Sequence, residues 1–503
     1  LSRFITSLHN FMFNQWKAMN LPSDSRPLQG IILAAGKGVR AYPATRYIPK
    51  ALMEVGGKTL IERNVEIMRQ QLGIRDIIVV VGYLGDQIAE YFQNNGLDQD
   101  ISFVRQIHQK GIGHAMLCAE PEVRHDRFVV MLGDEFYLDS NHRDLLAYLD
   151  GNGDTALMFR EETNRFRISK NYTGVIKESR VISLEEKPKQ PRTRLMGVGT
   201  YLLNRKVFDY IRNTPPSALR GEVEITDVLS RMAETETVHA CMLEGAYLNV
   251  NSVDDLNMAH YILRERYFDR YRVSVVIPAY NEEETIEEVI RDFGSRKEID
   301  EVLVVDNNSR DRTGERAHHA GARVVTETRQ GYGCALRRGL DDALGDIVVL
   351  TEADGSFQAK DIPKFLQYLK DCDMVIGTRT TRQLIEQGAN MEGLLRWGNV
   401  AVGKLIEALW WGQEPRFTDV GCTYRAIWKT SYEKIRPYLT ASGPDFSPEM
   451  MIAVLICRRR IIEIPVSYRQ RYGGVSKHSG HFRAHARTAL KMLRRIFNYR
   501  MTY

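Results

Sequence analysis

The sequence predicts an α/β protein made of two tandem Rossmann-like domains. Three observations carry this. From Leu28 to about Tyr267, strand-length apolar runs alternate with helix-length amphipathic stretches. At Val273 the same alternation starts afresh. Between them, residues 264–272 are densely charged and make a natural joint. A chain of 503 residues has room for more than one domain. The expected division is an N-terminal extension and linker over 1–27, a first domain over 28–267 and a second over 268–503.

In chain order, Phe4, Ile5, Leu8, Phe11, Met12 and Trp16 share one face of a helix expected to pack on the body. Residues 21–27 read as a linker by composition. Strands are expected at 30–33, 77–81, 128–132, 155–159, 181–183 and 197–203, with a helix over 60–72, in a largely parallel sheet. In the second domain the spacing predicts strands at 273–280, 301–305 and 347–351 and a helix over 282–293. The tail 481–503 reads as a basic helix. Leu490, Leu493 and Phe497 lie near one face, among Arg483, Arg487, Lys491, Arg494 and Arg495.

A formal charge of +5 is small for this length and does not argue for nucleic acid as a partner. Its distribution says more, because no Asp or Glu follows Glu463. Six scattered cysteines without a CxxC pair suit a reducing compartment and no structural zinc. No run is long and apolar enough to cross a bilayer, and no cleavable signal is present. These features point to a cytoplasmic protein.

The first candidate site follows strand 30–33. Ala35, Gly36 and Gly38 form a turn whose backbone N–H groups suit phosphate oxygens. Arg40 and Lys50 add fixed cations, as transfer from a nucleoside triphosphate requires when charge shifts to pyrophosphate. The loop is neither a dinucleotide-binding GxGxxG nor a P-loop. Asp134 follows strand 128–132, where such sheets bind ligands, and is the first Mg²⁺ ligand expected. Before it stand Gln106 and the run Lys110-Gly111-Ile112-Gly113-His114; after it come Glu186-Lys187-Pro188 and Asn249-Val250-Asn251.

In this order the motifs of residues 30–259 resemble the sugar-1-phosphate nucleotidyltransferases, in particular the uridylyl and thymidylyl enzymes. The resemblance implies that Gln106 and Gly111 contact a pyrimidine base. It implies that Glu186 and Lys187 hold the sugar and its phosphate, with Gly174 on the sugar side. Relatives carry Asp as the second metal ligand; here the candidates are Asn249 and Asn251, with Asn251 favoured. The implied reaction joins UTP or dTTP to a sugar 1-phosphate and releases pyrophosphate. The nucleophile is already an anion, so no general base is needed.

The second domain shows Pro278-Ala279-Tyr280-Asn281-Glu282, then Asp306, then Glu352-Ala353-Asp354. These resemble family-two inverting glycosyltransferases of the GT-A fold, over 273 to about 478. The resemblance implies that Pro278, Tyr280, Glu282 and Asp306 hold the nucleotide. It implies that Asp354 holds Mg²⁺ or Mn²⁺ on the diphosphate, with Glu352 where the family usually has Asp. Further on, Arg379, Asp419, Arg425, Glu449, Arg469, Arg471 and Lys477 resemble the polyprenyl-phosphate hexose synthases. Asp419 is expected to be catalytic and the cations to bind a lipid phosphate. The basic tail is expected on the inner face of the membrane, or packed on the body. Together these imply a bifunctional enzyme that makes a nucleotide sugar and passes the sugar to a polyprenyl phosphate. Two alternatives stay open: a soluble acceptor, and a first domain that senses nucleotide sugar without catalysis.

Overall fold

The computed structural model describes residues 28–42, 44–149, 155–217, 221–386, 394–472 and 482–503. The expected N-terminal helix and Lys477 lie outside the described residues. The chain divides into two units, the first ending at Ala259 and the second beginning at His260.

In the first unit the strands are β1 (Gln29–Ala34), β2 (Glu54–Val55), β3 (Lys58–Thr59), β4 (Ile77–Val81), β5 (Ile101–Arg105), β6 (Arg127–Leu132) and β7 (Glu135–Leu138). They continue with β8 (Thr155–Glu161), β9 (Tyr172–Lys177), β10 (Arg180–Glu186), β11 (Leu195–Asn204), β12 (Val238–Met242) and β13 (Ala246–Asn249). Among the described residues nine of them form one sheet, in the order β5-β4-β1-β6-β11-β8-β12-β10-β9. β1 is buried along its whole length, and so is β4, as expected of parallel strands covered on both faces. The helix Leu60–Gln71 covers one face with Ile61, Val65 and Met68; Thr59 caps it by accepting from Glu62 N at 3.2 Å.

The expectation of a largely parallel sheet holds for β5-β4-β1-β6 and for the neighbouring pair β8 and β12. β11 runs antiparallel to both β6 and β8, and β9 pairs antiparallel with β10. The β9–β10 link is Glu178-Ser179, both at positive φ. A two-residue link can close a hairpin but cannot make a parallel crossover. β7 and β13 form a separate antiparallel pair directly after β6, with Asn249 opposite Glu135.

In the second unit β14 (Val273–Ala279), β15 (Glu301–Asp306), β16 (Arg323–Thr326) and β17 (Ile347–Leu350) make the parallel half of a sheet. β18 (Met374–Thr378), β19 (Arg425–Trp428) and β20 (Ile461–Pro465) extend it, in the order β16-β15-β14-β17-β19-β18-β20. The helix expected from residue 282 begins at Ile286. Residues before it are tied into a turn, with Glu282 N donating to Thr313 Oγ1 at 2.8 Å. Arg264, read as part of a charged joint, is buried within this unit. It pairs with Asp373 at 2.8 Å, donates to Cys372 O and stacks over the Trp428 ring.

The C-terminal helix Phe482–Thr502 forms as expected but turns a different face inward. Ile496 and Tyr499 are buried, whereas Leu490, Phe497 and Met501 are exposed. The helix is therefore packed on the body of the second unit, and its outward face carries these apolar residues with Arg494 among them.

Candidate active sites

In the first unit β1, β4 and β6 end side by side, and the loops after them build the site. Gly38 stands at φ +62, and a Cβ there would come within 3.2 Å of Lys50 and Thr45 side chains. Glycine therefore lets the loop close onto Lys50. Lys50 is nearly buried; its Nζ pairs with Asp134 Oδ2 and donates to Asn251 Oδ1 at 3.0 Å. Arg40 Nη2 donates to the same Asn251 oxygen at 2.7 Å. Four expected residues thus converge.

Two features hold this group in place. Val250 N donates to Asp134 O, joining the end of β13 to the turn after β6. Ser252 and Asp255 then cap the helix Val253–Tyr267 reciprocally: Asp255 N donates to Ser252 Oγ, and Ser252 N and Asn251 N donate to Asp255 Oδ2. Glu135, next to Asp134, was singled out by no sequence signal beyond that adjacency. It is buried and accepts from Gly199 N, Tyr247 Oη and Tyr137 Oη. Burial pushes its carboxyl up to about 7. This network clamps β7 and β13 beneath Asp134.

A cavity of about 300 Å³ is lined by Ala35, Gly36, Lys50, Gln106, Gly111 and Asp134, together with Gln109 and Glu222, which sequence reading missed. Gln106 Nε2 is 3.1 Å from Gly111 O and 3.0 Å from His114 Nδ1. Burial, with Lys110 and His108 nearby, holds His114 below the usual histidine value, which favours a neutral ring that can accept from the amide. Both contacts engage Nε2 and leave Gln106 Oε1 for a donor on a ligand. A second cavity, of about 380 Å³, contains Arg40 and Asn251 on its wall, with Arg167, Lys170, Asn171 and Asn249. Because Lys50 of the first cavity bonds Asn251 of the second, the two adjoin at this group.

Gly174, Glu186 and Lys187 line neither cavity. Gly174 is packed between Phe159 and Leu184. Glu186 pairs with Lys187 at 3.0 Å and accepts from Thr226. Lys187 N donates to Asn171 O at 2.8 Å, which brings it next to the second cavity.

The donor set fits Mg²⁺. One carboxylate, Asp134, and one amide oxygen, Asn251, meet on a single ammonium, so both oxygens already face one cation. Magnesium needs only one or two protein oxygens when phosphates supply the rest. Asn249, the other candidate, keeps a buried Oδ1 without a hydrogen-bond partner among the described residues.

In the second unit a cavity of about 260 Å³ opens beyond the ends of β14 and β17. Pro278, Tyr280, Glu282, Glu352, Asp354 and Arg471 line it, with Asn307, Gln330 and Tyr332 added by the structure. Asp306 does not line it. It ends β15 and accepts from Ser309 N, shaping the turn that presents Asn307. Asn307 is fixed by donating to Glu327 O and Arg329 O and accepting from Gly331 N.

Asp354 Oδ1 accepts from Ser356 N and Oγ, whereas Oδ2 is buried without a hydrogen-bond donor among the described residues. Arg471 Nε faces that oxygen as an ion pair at 2.8 Å. A carboxylate oxygen on a cavity wall, already facing one cation and taking no hydrogen bond among the described residues, fits a divalent cation. Burial and the neighbouring Asp354 carboxylate push Glu352 up to about 7, and Thr423 Oγ1 donates to it at 2.6 Å. The segment carrying Arg469 and Arg471 folds over the Asp354 turn: Tyr472 N donates to Asp354 O, Arg469 N to Ser356 O and Arg469 Nε to Gly355 O.

Three expected residues are corrected here. Arg379 is buried and closes a two-bond pair on Asp419, at 2.8 and 2.9 Å, so its guanidinium is not available to an acceptor phosphate. Asp419, expected to be catalytic, is fully buried in that pair. Burial pushes its carboxyl up, but Arg379 outweighs this and holds it low. Arg425 is also buried, and donates to Cys422 O, Ser447 O and Val420 O. None of the three lines the cavity.

Comparison with known proteins finds a transferase family in each half of the chain. Residues 29–266 match the family model described as Nucleotidyl transferase, and residues 274–422 the one described as Glycosyl transferase family 2. The bifunctional protein GlmU of Methanococcus maripaludis strain C7 is 33% identical over 238 residues, covering 46% of this chain and 54% of that protein. The chain thus spans about half the length of that relative. The UTP–glucose-1-phosphate uridylyltransferase AglF of Haloferax volcanii is 30% identical over 245 residues, covering 47% of this chain and 97% of AglF. A solved UDP-glucose pyrophosphorylase, complexed with UDP-glucose, is 24% identical, covering 49% of this chain and 100% of that one, with a TM-score of 0.44. The chain belongs to the nucleotidyl transferase family through residues 29–266 and carries a glycosyl transferase family 2 domain after it, two transferase domains in one polypeptide.

Proposed function

We propose that the first unit makes a nucleotide sugar from UTP or dTTP and a sugar 1-phosphate, and that the second transfers the sugar to a polyprenyl phosphate. The observation that carries the first half is the convergence of Arg40, Lys50, Asp134 and Asn251 where two cavities adjoin. The base lies against Gln106 and Gly111, with Gln106 Oε1 accepting from the ring N–H of uracil or thymine. The sugar 1-phosphate enters from the side of Arg40, Arg167 and Lys170, with Glu186 and Lys187 as its sugar contacts. Its phosphate oxygen attacks the α-phosphorus, and the bond to pyrophosphate breaks. Lys50 and Arg40 take up the charge that moves to the leaving group. Mg²⁺, held by Asp134 and Asn251, would neutralise phosphate charge when bound.

In the second unit the nucleotide sugar lies against Pro278, Tyr280 and Glu282, with Asp306 shaping the nucleotide side. Asp354 would hold Mg²⁺ or Mn²⁺ on the diphosphate. Arg471, with Arg469 and Lys477 near it in sequence, attracts the acceptor phosphate, which attacks the anomeric carbon without a base as the nucleoside diphosphate departs. A lipid acceptor is supported by the outward face of the C-terminal helix, where Leu490, Phe497 and Met501 are exposed beside basic Arg494. Arg500 lies over the Trp410 ring, next to an exposed Trp411, a residue type suited to the membrane interface. Among the described residues no helix is long and apolar enough to cross a membrane. We place the enzyme at the inner face of the membrane as a peripheral protein.

The test is to supply each nucleoside triphosphate with a panel of sugar 1-phosphates, with and without polyprenyl phosphate, and to identify products by mass. Preference for GTP or ATP over UTP and dTTP would overturn the base assignment. A product on a soluble acceptor only would overturn the lipid.

A further inference from the structure

The glycine turn at the cavity of the second unit is held from behind by a segment that is itself tied to the C-terminal helix. Gly331 and Tyr332 line the cavity and lead into the helix Tyr332–Asp342. Residues 441–442 press against this turn. Gly333 N donates to Ser442 O at 2.8 Å. A Cβ on Gly331 would stand 2.4 Å from Ser442 O, and one on Gly333 2.3 Å from Ala441 O. The two backbones meet so closely that a shift in 441–442 must move the turn.

Residues 440–441 are in turn held by one buried carboxylate. Glu449 Oε1 accepts from Thr440 N at 3.0 Å and from Thr440 Oγ1 at 2.9 Å, and Oε2 accepts from Ala441 N at 2.9 Å. Glu449 is fully buried. The groups that meet its charge come from the C-terminal helix: Arg495 Nη1 and Tyr499 Oη each lie 2.9 Å from Oε1. Arg495 also spans Asp445 at 2.8 Å and Thr440 Oγ1 at 2.6 Å. One arginine therefore compensates two buried acids, Asp445 and Glu449. Without it, both carboxylates would remain desolvated beside the loop that backs the cavity.

We propose that Arg495 and Tyr499 are positioning residues for the cavity of the second unit, and that the C-terminal helix is a latch on its glycine turn, Gly331–Gly333. The inner face of the helix fixes Glu449, Glu449 fixes 440–441, and that segment fixes Gly331–Gly333. The exposed stripe of the same helix, Leu490, Phe497 and Met501, is on its other side. A surface that captures this stripe would order the helix and, through Arg495, the nucleotide turn. The inference rests on reading this cavity as the site of the nucleotide-sugar donor.

Hydrogen exchange on the full chain tests it, with UDP plus Mn²⁺ as probe. Arg495→Ala is expected to speed exchange about tenfold in peptides spanning 331–342, as well as in 438–446, while β14 and β15 stay protected. Arg495→Lys is expected to restore part of that protection. Should Arg495→Ala fail to fold, Tyr499→Phe is expected to give the same pattern at about threefold. Faster exchange confined to 438–446 and 482–503, with 331–342 unchanged, would overturn the latch, because a merely structural helix would give that result. In the wild type UDP is expected to slow exchange at 331–342. If UDP has no effect there but Arg495→Ala still loosens the turn, the latch stands and the donor reading falls. In transfer assays Arg495→Lys is expected to raise the donor KM with little change in kcat; the reverse split would count against a positioning role.

Discussion

Arg471 Nε lies 2.8 Å from Asp354 Oδ2, a buried oxygen that no described residue donates to in hydrogen-bond geometry. The same arginine sits on the cavity wall. In the proposed function the pair places a cation between the donor diphosphate and the acceptor phosphate. Arg471→Ala is expected to lower sugar transfer about a hundredfold and to leave pyrophosphate release unchanged. Arg471→Lys keeps the charge but not the planar fork and is expected to recover part of the loss. Parallel assays with added nucleotide sugar check this; wild-type transfer by Arg471→Ala would remove the residue from the site.

The two proposed metal ligands, Asp134 and Asp354, belong to separate units, so their losses should be separable. Asp134→Ala is expected to lower pyrophosphate release by about a thousandfold or more, while added nucleotide sugar is still used. Asp354→Ala is expected to do the opposite. A folded protein that loses both activities through either substitution would contradict two independent centres.

Stability in acid should report the Arg264–Asp373 pair. Burial pushes Asp373 up, but Arg264, His260 and Arg459 outweigh it and hold the carboxyl at about 2. The folded value is below the unfolded one, so the pair stabilises the fold above about pH 4 and is lost as pH falls towards 2, a contribution on the order of 2 kcal/mol. Asp373→Asn leaves Arg264 buried without its counter-charge and is expected to cost about 3 kcal/mol at neutral pH. It should also flatten the loss of stability between pH 4 and 2. Denaturant melts across that range check it; parallel curves for wild type and variant would contradict it.

The outward stripe of the C-terminal helix can be changed without touching the latch. Leu490→Gln with Phe497→Gln is expected to weaken binding to anionic vesicles at least about tenfold, at unchanged thermal stability. Raising ionic strength should weaken binding of the wild type as well. Transfer to a short, water-soluble prenyl phosphate should suffer less than transfer to a long one. Vesicle sedimentation and product extraction read this out.

The sequence showed most strands of the parallel halves, because fully buried strands such as β4 are uninterrupted apolar runs. Gln106, Gly111, Lys50 and Asp134 were legible because each stands at a fixed place in an ordered series of motifs. Arg379 and Arg425 misled for a physical reason: a sequence shows charge but not burial, and Arg379 meets Asp419 forty positions away. Glu135 was invisible as a clamp because its partners, Gly199 and Tyr247, come from distant strands. The face of the C-terminal helix was ambiguous for another reason. Leu490, Phe497 and Met501 form one apolar stripe, and Ile496 and Tyr499 part of another; periodicity cannot say which one the body covers.

The most direct measurement gives the full-length chain UTP, a sugar 1-phosphate that it activates, Mg²⁺ and a long-chain polyprenyl phosphate, and identifies every product by mass. The expected products are pyrophosphate, a UDP-sugar intermediate, UDP, and a lipid-extractable polyprenyl phosphate carrying one sugar. Accumulation of UDP-sugar with no lipid-linked product from any polyprenyl phosphate, alongside sugar transfer to a soluble acceptor, would contradict the proposed function.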